Sequence, residues 1–279
     1  MRLTRYVANA LVTAAAIGLA SAAWAGPVLL TGHDPDFHAQ SQQSGKDQLN
    51  IYLNYVTGGS YNSGTTKFLF VESNIAPPAG FLVGEAGLNA IGLVAGTNYD
   101  AVDAAGLAAL SSFVGYSAIV VASSFGGMLT DAEIQGLVTR SSDIASFVNA
   151  GGGLAAFAEC YPTSSVCLSN NVNASTPLFG FVPVVVSSVG TTAPYKVTPF
   201  GAGLGLTDAM VSDCCTHNSF GATGGLNIVD VDQNGIPTTL AGNVQIIDNS
   251  FVPAPEPATL AILGLGLAGL GFMRRRRAG

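Results

Sequence analysis

Between residues 27 and 158, short unbroken apolar runs alternate with stretches of helical period. Residues 27–31, 67–71, 117–122 and 154–158 are the runs; Val28-Leu29-Leu30 and Ile119-Val120-Val121 are typical. A strand with one wet face alternates apolar and polar residues, so continuous apolar runs predict strands covered on both faces. Leu49, Tyr52, Leu53 and Val56 are spaced three, one and three, which marks one face of a helix over residues 45–56. Residues 80–95 are glycine-rich and predicted helical in part, and the alanine-rich stretch 103–110 is predicted helical. Thr130-Asp131-Ala132-Glu133 has the form of a capping box, in which the Thr hydroxyl and the Glu carboxylate satisfy the first free amides of a helix. Ile134, Leu137, Val138, Ile144 (or Ala145) and Val148 continue that helix, and Gly151-Gly152-Gly153 ends it. Strand–helix alternation of this kind predicts an α/β fold, a mostly parallel sheet with helices on both faces.

The pattern changes after residue 160. Val, Thr, Gly and Pro dominate, as in Val182-Pro183-Val184-Val185-Val186. Residues 226–231 and 236–241 predict a hairpin around Asn234-Gly235, a strong turn pair. Residues 244–248 predict a last strand. The C-terminal part of the body is therefore expected to be β-rich.

Both ends of the chain differ from this body. Residues 1–25 read as a secretory signal: Arg2 and Arg5, an apolar stretch over 8–20, and Ala23-Trp24-Ala25 as a cleavage site. Such a segment implies the Sec translocon and signal peptidase as partners. At the other end, residues 258–273 hold a single polar side chain, Thr259. A straight helix of that length covers about 24 Å. That falls short of a hydrocarbon core of about 30 Å, a gap that snorkelling and local thinning can close. Arg274, Arg275, Arg276 and Arg277 follow, and they fix this C-terminal transmembrane helix with its end in the cytoplasm. Gly264, Gly266 and Gly269 match a dinucleotide-binding spacing. No strand precedes them and no acidic residue follows, so they are read as helix-packing positions.

Pro255-Glu256-Pro257, the apolar span and the arginine cluster, in that order, resemble the PEP-CTERM protein-sorting signal. The resemblance covers residues 253–279 and implies an exosortase as processing partner in a Gram-negative bacterium. It further implies an inner-membrane intermediate, cleavage near the motif, and delivery to the cell surface, outer envelope or extracellular polysaccharide matrix.

Setting both ends aside leaves a body over residues 26–252. Its basic residues are Lys46, Lys67, Arg140 and Lys196, against sixteen carboxylates, a formal charge of −12. Nucleic-acid binding needs phosphates neutralised by Lys and Arg, so this composition excludes it. The four cysteines, Cys160, Cys167, Cys214 and Cys215, are expected as disulfides in an exported protein. Three pairings are open. The adjacent pair would close a strained ring, so the 160/167 loop is expected to be stapled to the 214/215 loop. A zinc site is the alternative.

Val28-Leu29-Leu30-Thr31-Gly32-His33, the run 119–121, the capped helix and Gly151 to Glu159 look like the class I glutamine amidotransferase-like fold, in its ThuA-like branch. The resemblance implies a flavodoxin-like sheet with its site at the carboxyl ends of the strands. That family places a nucleophilic Cys between glycines after such a Gly run. This chain has Ala158-Glu159-Cys160-Tyr161-Pro162, with Glu159 nearest the nucleophile position and no flanking glycine. A later His-x-Glu pair is missing too, since His217 is followed by Asn218-Ser219. The cysteine-hydrolase pattern is therefore absent.

The candidate chemistry is His33-Asp34-Pro35-Asp36-Phe37-His38, directly after the first strand. Two imidazoles and two carboxylates suit a divalent metal such as Zn, Mn or Ni, or hydrogen bonds to a sugar. Glu159 is expected at a neighbouring strand end, and His217 is expected to approach from the second half. The alternative is a polar loop whose Asp and His cap a helix or face water. Asp230-Val231-Asp232-Gln233-Asn234-Gly235 opens like a calcium loop, but Ala241 stands where the bidentate Glu belongs, so it is read as a hairpin turn. The function expected is a non-catalytic binding or structural component of the envelope or its polysaccharide. The alternative is a carbohydrate-active or metal-dependent hydrolase using His33, His38, Glu159 and His217.

Overall fold

Five strands at the centre of the molecule are parallel: β1 (Pro27–Thr31), β2 (Phe68–Val71), β3 (Tyr99–Val102), β4 (Ala118–Val121) and β5 (Gly153–Ala156). This is a computed structural model, and it describes residues 25–64, 66–73, 84–124, 129–158, 184–187, 190–212 and 216–246. The order across the sheet is β3-β2-β4-β5-β1 and continues with three antiparallel strands. These are β10 (Pro237–Asn243), β9 (Asn227–Val231) and β7 (Lys196–Val197). Counted from β2, the strands β2 to β5 follow the 2-1-3-4 order of a flavodoxin-like sheet, and β1 takes the fifth place. A separate pair, β6 (Val185–Ser187) and β8 (Ser219–Ala222), packs on one face through Val186 and Phe220.

The unbroken apolar runs have the predicted cause. Successive side chains in a strand point to opposite faces, and here both faces are covered. Val28, Leu30, Leu69, Val71, Ile119, Val121, Leu154 and Ala156 face one cluster. Its helices are α4 (Ala104–Ala109), α5 (Asp131–Thr139) and α6 (Ser141–Asn149), which bring Leu107, Ile134, Leu137, Ile144 and Val148. Leu29, Phe68, Phe70, Val120, Ala155 and Phe157 face the other. There α2 (Gln43–Thr57) contributes Leu49, Tyr52, Leu53 and Val56, and α3 (Glu85–Ala90) contributes Leu88. The small residues of β5 matter because α2 sits directly on it: a Cβ added at Gly153 would lie 1.9 Å from the Val56 carbonyl oxygen.

The capping box forms as read from sequence, with Thr130 and Glu133 bonding each other's backbone amides at the start of α5. The single helix expected over residues 131–148 is two. Arg140 breaks it, with φ −101° and ψ 17°. Its guanidinium donates to the Leu107 and Leu110 carbonyls, both at 2.9 Å, and lies 4.2 Å over the Phe113 ring. The hairpin is β9–β10, and Asp232 Oδ1 accepts from the amides of Asn234 and Ile236, both at 2.8 Å. That carboxylate is used in the turn. The strand expected over 244–248 does not form as such: β10 already ends at Asn243, residues 244–246 belong to no strand, and 247–248 lie outside the described residues. Strand β3 went unpredicted. It is a four-residue edge strand in which only Tyr99 is buried. Among the described residues no helix is long and apolar enough to cross a membrane, and residues 258–273 lie outside them. The signal segment 1–24 and all four cysteines lie outside them as well.

Close approach of α2 to β5 sets a test. Gly153→Ala should destabilise the fold by about 2 kcal/mol or more through overpacking. Gly203→Ala, where an added Cβ meets nothing within 4 Å, should change stability by no more than about 0.5 kcal/mol. Chemical denaturation of both variants checks the pair, and equal stabilities would contradict the packing described.

Candidate functional site

Strand β1 delivers its C-terminal end into a layer of polar groups. The chain leaves β1 through Gly32, whose amide donates to the Thr238 carbonyl at 2.8 Å and whose carbonyl accepts the His217 amide at 2.8 Å. A Cβ at Gly32 would stand 2.0 Å from the Asn218 carbonyl oxygen. Only glycine lets the 216–218 segment lie this close, and that contact brings His217 to the exit of β1. Pro35 then starts the short helix α1 (Pro35–His38), with its fixed φ suited to a first helical position. Asp34 at its N-cap and His38 at its end stand four apart, on one face.

The three histidines each meet a buried carboxylate. His33 Nε2 lies 3.2 Å from Asp230 Oδ1, and its ring packs edge-on to Tyr195 at 4.9 Å. Asp230 also accepts from the Thr238 hydroxyl. Asp34 is shared: Oδ1 lies 3.3 Å from His38 Nε2, and Oδ2 lies 3.3 Å from His217 Nε2. His38 and His217 thus face the two oxygens of one carboxylate. Gln42 Nε2 stands 2.9 Å from His38 Nδ1. With the amide donating there, the His38 ring carries its proton on Nε2, towards Asp34. Burial alone would raise the Asp34 pKa, but His217 and His38 outweigh it and hold the carboxyl down at about 2.

A second set of acids adjoins the first. Asp36 reaches from α1 to the end of β4, where its Oδ2 accepts the Ser123 amide at 2.8 Å, while Oδ1 is buried without a hydrogen-bond partner among the described residues. A methyl group on Gly84 would stand 3.2 Å from Asp36 Oδ2 and 3.2 Å from Glu72 Oε2, so that glycine fills the space between the two carboxyls. Glu72 directly follows β2 and accepts the Glu85 amide at 3.3 Å. Glu85 in turn accepts the Tyr99 hydroxyl at 2.9 Å. Burial pushes the Asp36 pKa up to about 7, and the Asp34 charge adds to this against the Ser123 amide. Burial likewise raises Glu72, helped by the Glu85 charge. The carboxyl ends of β2 and β4 flank the point where the strand order reverses, the usual ligand crevice of an open α/β sheet.

Residues adjacent in sequence are thus dealt to separate partners. His33 goes to Asp230, Asp34 to His38 and His217, and Asp36 to Ser123 beside Glu72. Among the described residues no group of three or more His, Cys, Asp or Glu is placed to hold a metal ion. Glu159, Cys160, Cys167, Cys214 and Cys215 lie outside the described residues. Sequence reasoning brought His217 to His38 but missed Asp230, Glu72, Glu85 and Ser123. The signal for Glu72 and Ser123 was their place, each directly past an apolar run that forms a strand. A surface groove lies elsewhere, against Lys67, Asp100 and Tyr116, and touches none of the histidines.

The PEP-CTERM protein-sorting motif is matched over residues 253–277. No curated protein and no solved structure matches the chain. The matched motif implies an exported protein of the Gram-negative envelope type whose processing partner is an exosortase.

The two perturbed carboxyls set opposite pH limits. Asp36 is raised from 3.8 to about 7, so its stabilising contribution is present below about pH 4 and is lost as pH rises towards 7. Asp34 is lowered from 3.8 to about 2, so its contribution is present above about pH 4 and is lost as pH falls towards 2. Thermal unfolding of the purified full chain should therefore occur several degrees higher at pH 5 than at pH 8. Asp36→Asn should shrink that difference; a wild-type transition that rises from pH 5 to pH 8 would refute the assignment.

Proposed function

We propose that the body of this exported chain is a non-catalytic binding or structural component of the cell envelope or its exopolysaccharide matrix. The observation that carries the reading is the state of Asp34. Its carboxylate is 1 % exposed and is held from two sides by imidazoles that are themselves nearly buried. Groups spent on one another in this way fasten segments together. Here they tie α1 to the 216–218 segment, while His33 and Asp230 tie the exit of β1 to β9. The sequence after β5, Ala158-Glu159-Cys160, also lacks the glycines that a strained nucleophile turn favours.

A hydrolase of envelope carbohydrate is the second reading, and one observation favours it. An ionised Asp34 beside an Asp36 that titrates near neutrality is a pair of carboxyls with separated proton affinities, as acid–base catalysis requires. In that reading His33, His38, Glu159 and His217 would act as acid–base groups or surround a divalent metal.

Metal analysis and a turnover assay on envelope polysaccharide separate the readings. The purified full chain should carry no stoichiometric metal and release no reducing ends. His38→Ala/His217→Ala should lose about 3–5 kcal/mol of stability, because it leaves a buried charge uncompensated. Stoichiometric zinc, manganese or nickel lost from a folded His33→Ala/His38→Ala variant would establish the hydrolase instead. For the tail, a chain lacking residues 253–279 should be soluble in the periplasm rather than at the cell surface or in its matrix; unchanged surface association would overturn the sorting assignment.

A further inference from the structure

The described surface holds an open groove at the end of the sheet opposite the histidines. Its walls are the approach to β2, the turn into β3 and the α4–β4 connection. Lys67 Nζ stands 2.6 Å from Asp100 Oδ1, and the Tyr116 hydroxyl donates to Asp100 Oδ2 at 3.1 Å. The Asp100 carboxylate is therefore pinned between two donors, with its remaining lone pairs fixed in direction. Lys67 keeps further N–H groups beside it. Thr97 and Ser112 add exposed hydroxyls, and the Tyr116 ring supplies a half-buried apolar face.

A second, smaller groove shares Ser112 and Val114 with the first. It repeats the same arrangement with different residues. Arg140 Nη2 pairs with Asp143 Oδ2 at 3.0 Å, beside the Phe147 ring. Val114, 87 % exposed, forms the ridge between them. Two of the four basic residues of the body thus sit in these two grooves, each matched by an aspartate.

From this we infer that the paired grooves bind a neutral polysaccharide chain, one saccharide subsite on either side of Val114. The inference rests on the binding reading above and adds a place and a ligand class to it. A sugar hydroxyl donates and accepts at once, as a Ser or Thr hydroxyl does, and needs a fixed donor beside a fixed acceptor. Each groove offers that pair next to an aromatic ring, and an aromatic face suits the C–H side of a pyranose. An anionic polymer would meet no surplus positive charge, because each cation is already neutralised. The broad apolar patch that marks many protein-docking surfaces is not what these grooves present, since each sets a cation–aspartate pair beside its apolar lining.

Affinity electrophoresis of the purified full chain tests this, in gels cast with dextran, hydroxyethyl cellulose or alginate. Wild type should be retarded by at least one neutral polymer and not by alginate. Lys67→Met/Asp100→Asn, which leaves net charge unchanged, should weaken retardation at least tenfold, with an unaltered thermal transition. Tyr116→Phe should weaken it to a lesser degree. Failure of both neutral polymers to retard wild type, or retardation chiefly by alginate, overturns the inference. Variants that migrate as wild type in a retarding gel overturn the grooves as the site and leave the binding reading standing. Cleavage of the retarding polymer overturns the non-catalytic reading and leaves the grooves standing.

Discussion

Strand β1 is hydrogen-bonded along both edges, parallel to β5 and antiparallel to β10. That double pairing joins a parallel α/β half to an antiparallel half in one sheet. It also sets where chemistry collects. The exit of β1 is the one strand end that both halves can reach, so Asp34 meets His38 from its own helix and His217 from far along the chain. His33 meets Asp230 on β9 for the same reason. The β1–β10 ladder, together with the shared cores on both faces, fixes the second half against the first and so sets the geometry of these His–Asp contacts.

Electrostatics inside the fold follow from a shortage of cations. Among the described residues Lys67, Arg140 and Lys196 pair with Asp100, Asp143 and Asp208, all at least partly exposed. The buried carboxylates have to be met otherwise. Imidazoles meet Asp34, a backbone amide meets Asp36, and burial favours the protonated form of Asp36 and Glu72. A carboxyl that keeps its proton needs no counter-ion, which is how an acidic body can bury several acids in one region.

The central architecture was legible because both-sided burial leaves a direct trace, an apolar run with no alternation. The capping box and the Asn234-Gly235 turn were legible because each is a local device whose residues and geometry imply each other. Legibility failed where tertiary contacts decide. Arg140 breaks a well-patterned helix because carbonyls at Leu107 and Leu110 and the Phe113 ring draw its side chain away. Strand β3 is short and pairs on one side, so it needs little apolar signal. The histidine motif pointed to the exit of β1 but not to the partners its side chains meet there. Positions 33, 34, 36 and 38 straddle a strand exit and one helical turn, so their side chains fan out and find partners the local sequence does not contain.

The same double pairing bears on the order of assembly. Residues 27–31 emerge early when an exported chain is threaded through a membrane, yet their antiparallel partners are residues 239–243, over two hundred positions later. The sheet closes across that edge only when residue 243 has crossed, twelve residues before the Pro255-Glu256-Pro257 motif. Completion of the fold and arrival of the sorting signal at the membrane are therefore nearly one event. The parallel strands, all within residues 27–156, can pair earlier, so what waits for the tail is the closing of the antiparallel half onto β1.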